Sequence, residues 1–414
     1  MSNKHLNLGI FGFGCVGQGL HKVLQNTKGI RASIQKICIK HPHKDRPISQ
    51  SYFTTNPEDI LLNKDIDIVV ELTDDAEAAY QIVTTALRQG KAVVTANKKL
   101  VAEHLEELYE LQQTYNTPLL YEGACCASIP IIRNLEEYYD NDLLSSVEGI
   151  FNGSTNYILS QMRQEGKSFV QALSEAQEKG FAETDPTLDI GAYDPKYKLC
   201  ITLLHAFGIF TKPEEIFNYG ITQLNEQDIS YAQQQGKTIK LLVHTKKEAA
   251  KITGLVLPTF VDAQHPLANV ENEFNGILVE SAFTDHQFFL GKGAGSTPTG
   301  SAVLSDISAL TYNYSYEYKK LHQNTEAYYS QDQLLEVYVR YQTPLDIDLN
   351  DFQCILQRFE SAEYNYLVGE INLKQLYKPA WRKNPNISIV LNKVLVNANQ
   401  TTIQTQVLEE ALAV

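Results

Sequence analysis

The stretch Leu6 to Gly17, LNLGIFGFGCVG, constrains the fold of this chain more than any other. Leu6 to Phe13 is a short apolar run, as a buried parallel strand requires. Val16 to Asn26 reads as a helix. Between them Gly12, Gly14 and Gly17 form G-x-G-x-x-G, which has a physical meaning in a strand–turn–helix context. The first glycine permits a tight turn, the second lets backbone approach a pyrophosphate, and the third lets helix pack on strand. Free N–H groups at the helix start then face the anion. A dinucleotide-binding Rossmann domain is expected; the competing reading is a plain strand-to-helix turn.

The segments that follow fit such a domain. Ser33 to Lys40, Asp67 to Thr73, Lys91 to Ala96 and Pro118 to Glu122 read as strands. Glu77 to Gln89 and Leu100 to Tyr115 read as helices. This alternation predicts a parallel sheet covered on both faces. Ser128 to Tyr139 reads as a further helix. Asn152-Gly153 marks a turn, helices dominate from Asn156 to Gly180, and a Pro/Asp/Gly-rich loop, Glu183 to Tyr193, precedes another helix, Pro195 to Phe207. The predicted fold class is α/β. Residues 1–130 form the Rossmann domain, with 291–320 returning to it. Residues 131–290 form an α+β substrate and dimerisation domain. Residues 332–414 form a small α+β C-terminal domain with a strand–helix pattern compatible with an ACT domain.

Composition excludes other classes. A net charge of −14 argues against a general nucleic-acid binder and against docking on an anionic membrane. No apolar run approaches the roughly 18–20 residues of a membrane span. The N-terminus shows no apolar signal segment. Six cysteines, none with metal-ligand spacing, read as reduced thiols. A cytoplasmic protein acting on a small molecule is expected.

Candidate site residues cluster after the strands. Lys40 and His41 end the second strand, followed by His43, Lys44 and Arg46, with no carboxylate before Asp45. Clustered positive charge suits a 2′-phosphate, so NADP is favoured over NAD; a solvated basic loop is the alternative. Lys98 follows the strand KAVVTA at the sheet edge where ligands of open α/β folds bind. It suits substrate contact or proton transfer, or is simply a surface lysine at a helix start. Asp194 precedes Pro195, a residue at home at the first helical position, so Asp194 reads as an N-cap. Lys198 lies four residues on, so the two side chains share one helical face. Glu183 and Asp185 bring carboxylates near this lysine; a capped helix with a surface ion pair is the bland reading. Glu122 ends a strand before the small residues GACCAS. Together with backbone carbonyls it suits a hard cation, though close packing against the sheet explains the small residues equally. Cys125 and Cys126 have no evident neighbouring base to activate a thiolate.

These residues carry a resemblance. GFGCVG (12–17), VTANKKLVA (94–102), IFNGSTNYIL (150–159), FAETDPTLDIGAYDPKYKL (181–199) and GKGAGSTPTGSAV (291–303) resemble the homoserine dehydrogenases. The resemblance implies reversible reduction of aspartate 4-semialdehyde to homoserine, toward threonine and methionine. It implies Lys198 as general acid, Lys98 as second catalytic lysine and cofactor contact, and Glu183 and Asp194 as substrate ligands. Cofactor contacts are implied at Gly12, Gly14, Cys15, Val16, Gly17, Thr73, Gly293 and Gly295. A monovalent cation, usually sodium, is implied at Glu122 and the backbone of Cys125, Ala127 and Ile129. A homodimer is implied. No kinase segment precedes the Rossmann domain, as in the monofunctional form, and the proline-glycine lead-in usual for an ACT domain is missing. The alternatives are an aldehyde dehydrogenase using Cys125 or Cys126, and a non-catalytic NADP sensor.

Overall fold

The computed structural model describes residues 5–141, 143–323 and 326–395. Thr402 to Leu412, the last stretch of the expected C-terminal strand–helix pattern, lies outside them. Six strands form the first sheet: β1 (Leu6–Phe11), β2 (Ala32–Cys38), β3 (Phe53–Thr54), β4 (Ile68–Glu71), β5 (Ala92–Thr95) and β6 (Leu119–Leu120). All pairs are parallel, in the order β3-β2-β1-β4-β5-β6. Leu8, Ile10, Val69, Val70, Val93 and Val94 are wholly buried, as expected of a sheet covered on both faces. Strand order reverses between β1 and β4, so a ligand crevice opens at their carboxyl ends.

Two local readings need correction. The helix expected from Leu100 to Tyr115 is two helices, Lys98–Glu103 and Leu105–Tyr115. His104 leaves helical geometry between them at φ −127°, and its ring packs 4.3 Å from that of Tyr80. The helix expected over Ser128 to Tyr139 shrinks to Ile131–Arg133 followed by a wider π-turn, Asn134–Tyr138.

The second sheet is mixed. Its strands are β7 (Leu144–Ile150), β8 (Phe217–Asn218), β9 (Lys237–Glu248), β10 (Lys251–Asp262), β11 (Phe274–Ser281), β12 (Asp285–Lys292), β13 (Tyr328–Tyr329), β14 (Leu334–Tyr341), β15 (Phe352–Glu360), β16 (Asn365–Asn372) and β17 (Ile387–Val394). The order runs β12-β11-β7-β9-β10-β17-β14-β16-β15, with β8 and β13 also on β10. β12 is not foreseen in the sequence, because its consecutive Phe288, Phe289 and Leu290 break alternation and run into Gly291. The helix Tyr193–Phe207 packs against β9, β10 and the helix Lys98–Glu103. From Asp194 onward every one of its residues is buried.

The four C-terminal strands lie in the order β17-β14-β16-β15, with antiparallel neighbours. That order matches the split βαβ arrangement, but the β14–β15 connection holds only 3₁₀ turns. The β16–β17 connection holds two four-residue helices, Leu373–Leu376 and Pro379–Arg382. These strands do not form a sheet of their own. β17 runs parallel to β10, and Leu335, Val337 and Trp381 share a core with Phe217 and Leu255.

Two seams join the sheets. The helix Ser296–Leu310 crosses the helix Cys15–Gln25 at two glycines. A Cβ on Gly19 would lie 1.9 Å from the Ser296 carbonyl oxygen, and one on Gly300 would lie 2.5 Å from the Leu20 nitrogen. The second seam is a buried polar chain. Glu136 Oε1 lies 2.6 Å from His205 Nδ1, and His205 Nε2 lies 2.8 Å from the Tyr121 hydroxyl. Tyr316 and Tyr318 stand against the same histidine ring as buried core residues. Among the described residues no helix is long and apolar enough to cross a membrane.

Candidate active site

The glycine loop fits a dinucleotide on three independent points. Gly12 has φ 91°, and a Cβ there would meet the Leu72 carbonyl oxygen at 2.5 Å. A Cβ on Gly17 would meet the Gly12 carbonyl oxygen at 2.7 Å. Around Gly14 a Cβ would find nothing within 4 Å, so the backbone there is open to a ligand. Gly14 precedes the helix Cys15–Gln25 and supplies no side-chain cap, which leaves the first N–H groups to an anion. Cys15 is exposed and Val16 half-buried at that helix start.

Lys40 stands beyond β2 and pairs with Asp75 at 2.9 Å, both largely exposed. Asp75 also caps the helix Ala76–Arg88. Arg46 turns inward on its own loop, donating to the carbonyls of His41 and Lys44. Thr73 follows β4 next to the glycine turn, its nitrogen 3.2 Å from a Cβ built on Gly12.

The lysines meet at one carboxylate. Asp194 Oδ2 accepts from Lys198 Nζ at 2.8 Å, and Asp194 Oδ1 lies 2.8 Å from Lys98 Nζ. Lys198 also donates to the Phe151 carbonyl at 2.6 Å. Asp194 is therefore not a cap. The helix begins one residue earlier, at Tyr193, after Ala192 in the left-handed region with φ 62°, and no side chain among the described residues caps it. The i,i+4 pair expected at a surface is buried, with side-chain exposures of 6% for Lys198 and 5% for Asp194. Lys98 remains 39% exposed and reaches the same carboxylate from another domain. Burial alone raises the Asp194 carboxyl, but the two ammonium groups outweigh it and hold the pKa well below the usual range. Burial alone lowers Lys198, but the Asp194 carboxylate outweighs it and holds the ammonium above its ordinary value.

Two residues that the sequence reading passed over belong here. Asn152 Nδ2 donates to Asp194 Oδ2 at 2.9 Å and to Asp189 Oδ1 at 2.7 Å. Its Oδ1 meanwhile caps the helix Gly153–Glu165 by accepting from Thr155 N. The Asn-Gly pair was legible only as a turn. Asp189 rises in pKa by burial and by the neighbouring Asp194 carboxylate. Asp185, expected near Lys198, instead bonds Thr187. Glu183 is exposed, and its backbone carbonyl accepts from Gln177.

Glu122 is 2% exposed beneath this site. Its oxygens accept from the backbone of Ile132 at 2.9 Å and Arg133 at 3.0 Å. Burial and the Asp306 carboxylate raise its pKa to about 8. Cys126 and Ala127 both take positive φ, 56° and 40°, an uncommon pairing for residues with a Cβ. The carbonyls of Cys126 and Ile129 accept from Ile129 N and Ile131 N. Those of Cys125 and Ala127 accept no backbone hydrogen bond among the described residues. Cys125 Sγ faces Thr202 Oγ1 at 3.9 Å, not a base. Gly293 closes against Asn275, whose buried amide has no hydrogen-bond partner among the described residues; a Cβ on Gly293 would lie 2.1 Å from that amide. Gly295, at φ 121°, ends the turn before the helix Ser296–Leu310.

A Rossmann crevice with a lysine–carboxylate pair beside it defines a nicotinamide-dependent dehydrogenase. Relatives specify which. The homoserine dehydrogenase family model matches residues 130–308, and the model of that family's NAD-binding domain matches residues 12–122. A homoserine dehydrogenase of Bacillus subtilis is 35% identical over 319 residues, covering 75% of this chain and 74% of its own. A crystal structure of a homoserine dehydrogenase from Thiobacillus denitrificans superposes with a TM-score of 0.82 at 29% identity, covering 94% of this chain and 98% of its own. A hyperthermophilic archaeal homoserine dehydrogenase in complex with NADPH gives a TM-score of 0.64 at 26% identity, over 76% and 99%. The chain belongs to the homoserine dehydrogenase family, and its cofactor is a nicotinamide dinucleotide.

Proposed function

We propose that the chain catalyses the reversible reduction of L-aspartate 4-semialdehyde to L-homoserine, with Lys198 as the proton donor. The observation that carries this reading is the single buried carboxylate, Asp194, gripping both Lys198 and Lys98. A bound reduced nicotinamide supplies the hydride. The chain's own residues handle the proton and the charge. Lys198 holds an ammonium proton ready for the alkoxide oxygen as charge builds there. Asp194 keeps that proton on the amine in the resting state, and Lys98 adds positive charge on the solvent side. Asp194 and Asp189, oriented through Asn152, form an acidic surface suited to the substrate ammonium, and the exposed Glu183 can close on it from its loop.

The raised pKa of Lys198 sets the pH behaviour. In the reduction direction the ammonium form is required, and it is present throughout roughly pH 6–9, so kcat is expected to be flat there. In the oxidation direction the neutral amine is required, and each pH unit below its pKa removes about tenfold of that form. Homoserine oxidation should therefore climb without a plateau to at least about pH 10. A plateau near neutrality, read from kcat against pH, would remove Lys198 from the role of base.

The basic loop supports NADP as the preferred cofactor, with Lys40 leaving Asp75 to meet the 2′-phosphate; NAD use remains open to the same site. Steady-state oxidation of L-homoserine with each cofactor, in the wild type and in Lys40→Glu, tests both proposals. Turnover is expected, with a higher kcat/KM for NADP that Lys40→Glu lowers about tenfold, as befits loss of a charge-assisted contact. Equal losses for the two cofactors would mean that Lys40 does not read the phosphate. Measurable cofactor binding without turnover would turn the reading toward a sensor.

The strained Cys126-Ala127 backbone and the two carbonyls beside Glu122 suit a monovalent cation such as sodium. That site would brace the loop beneath Lys198. A homodimer is the assembly implied by the family. Phe283, Phe288 and Leu290, exposed on the β11–β12 hairpin at the sheet edge, support it.

A further inference from the structure

Glu71 is the last residue of β4 and pairs in register with Thr95 of β5. It is wholly buried, in the middle of the parallel sheet and at its ligand-binding edge. Its Oε1 accepts from both the backbone N–H and the hydroxyl of Thr73, each at 2.6 Å. Its Oε2 accepts from the Thr95 hydroxyl at 2.6 Å. Burial pushes its pKa up, and these three donors pull against that shift. Stability alone does not call for a carboxylate here, since an apolar residue of similar volume needs no partners in such a place.

The network continues toward the catalytic lysine. Thr95 Oγ1 accepts from Asn97 N at 3.0 Å, and Asn97 Nδ2 donates to the Thr73 carbonyl at 3.2 Å. Glu71, Thr95, Asn97 and Thr73 thus close a ring of hydrogen bonds. Asn97 Oδ1 caps the next helix, whose first residue is Lys98. The N–H of Thr73 goes to Glu71, and its hydroxyl proton points to Glu71 at 2.6 Å, with the Asp75 carbonyl the farther acceptor at 3.5 Å. Toward the crevice, the Thr73 hydroxyl can therefore only accept a hydrogen bond.

We propose that Glu71 is a positioning residue for hydride transfer: it makes Thr73 an acceptor-only contact for a donor on the nicotinamide half of the cofactor and locks that contact to the segment bearing Lys98. The proposal rests on the reading that the dinucleotide crosses from the glycine loop past Thr73 toward the two lysines. The donors available on that half are the ribose hydroxyls and the carboxamide N–H₂. A glutamine in place of Glu71 keeps the volume and one acceptor but turns an N–H₂ donor toward the threonines. That removes the constraint without opening a cavity.

The test uses the full-length Glu71→Gln and Thr95→Val variants. The readouts are thermal melting, dinucleotide affinity by quenching of protein fluorescence, and steady-state homoserine oxidation. Glu71→Gln is expected to melt within a few degrees of wild type. Its KM for the dinucleotide should rise about tenfold and its kcat fall about tenfold, in proportion to one charge-assisted hydrogen bond, with KM for homoserine within twofold. Thr95→Val cuts the link toward Lys98 while Thr73 keeps its bonds, so it should lower kcat and leave dinucleotide affinity unchanged. Unchanged kinetics in Glu71→Gln, or losses in both variants that simply follow melting temperature, overturn the proposal. Wild-type binding is the control. If the wild type does not bind the dinucleotide, the underlying reading fails; if it binds and Glu71→Gln is silent, only this inference fails.

Discussion

Lys198→Ala is expected to lower kcat for homoserine oxidation by about 10²–10⁴-fold, the usual contribution of a positioned acid or base, while dinucleotide affinity stays within about threefold. The structure explains why such a variant should still fold. Asp194 loses one of two ammonium partners but keeps Lys98 at 2.8 Å and the Asn152 amide at 2.9 Å. The buried carboxylate is therefore not orphaned. Asp194→Ala is a different experiment, because it strips its carboxylate partner from a buried ammonium and damages the scaffold together with the chemistry. Steady-state rates with a fluorescence titration of the reduced cofactor decide the matter. Most of the turnover surviving in Lys198→Ala would pass the proton role to another group, and Lys98 would be the first to examine.

The second large effect is on stability. Arg340 of β14 grips Asp228 through Nε at 2.9 Å and Nη2 at 3.1 Å, and it also donates to the Gln223 carbonyl. Asp228 is wholly buried and also closes the capping box of the helix Glu226–Gln234. Arg340→Leu leaves that carboxylate buried without its cation, at a cost of about 3–5 kcal/mol. It should appear as a lower urea midpoint. Arg340→Leu combined with Asp228→Asn should recover part of the loss, since the remaining amide carries no charge. A single-variant loss below about 1 kcal/mol would mean that the pair is solvated in solution, like an exposed bridge.

What could be read from sequence follows from how local each feature is. The glycine loop was legible because strand, turn and helix are contiguous and each glycine answers a local steric demand. Lys98 and Lys198 were legible as candidates, but their meeting at Asp194 was not, since it depends on two sheets coming together. Asp194 looked like a cap because Pro195 follows it. The left-handed Ala192 that actually starts the helix has no signature in its side chain. Asn152 and Asp189 were overlooked for a related reason. One was accounted for as a turn residue and the other lay amid nearby acids, although both stand inside the segments that carried the family resemblance. Glu71 read as one letter of a buried strand. The strand–helix pattern of the C-terminal region was legible, but its union with β10 is a long-range pairing that no local pattern encodes.

The glycine crossing between the helices Cys15–Gln25 and Ser296–Leu310 bears on how the molecule is made. The helix beside the glycine-rich turn finds its packing partner only after some 280 further residues of chain, with Ser296 Oγ bonding back to the Cys15 carbonyl at 2.8 Å. On a ribosome adding roughly 5–20 residues per second, the N-terminal strands emerge well before that partner exists. The nascent domain must wait with one helix face uncovered, and the cofactor cleft is completed by the late-arriving segment. Loss of the chain beyond about residue 295 would thus strike the first domain synthesised as hard as the last.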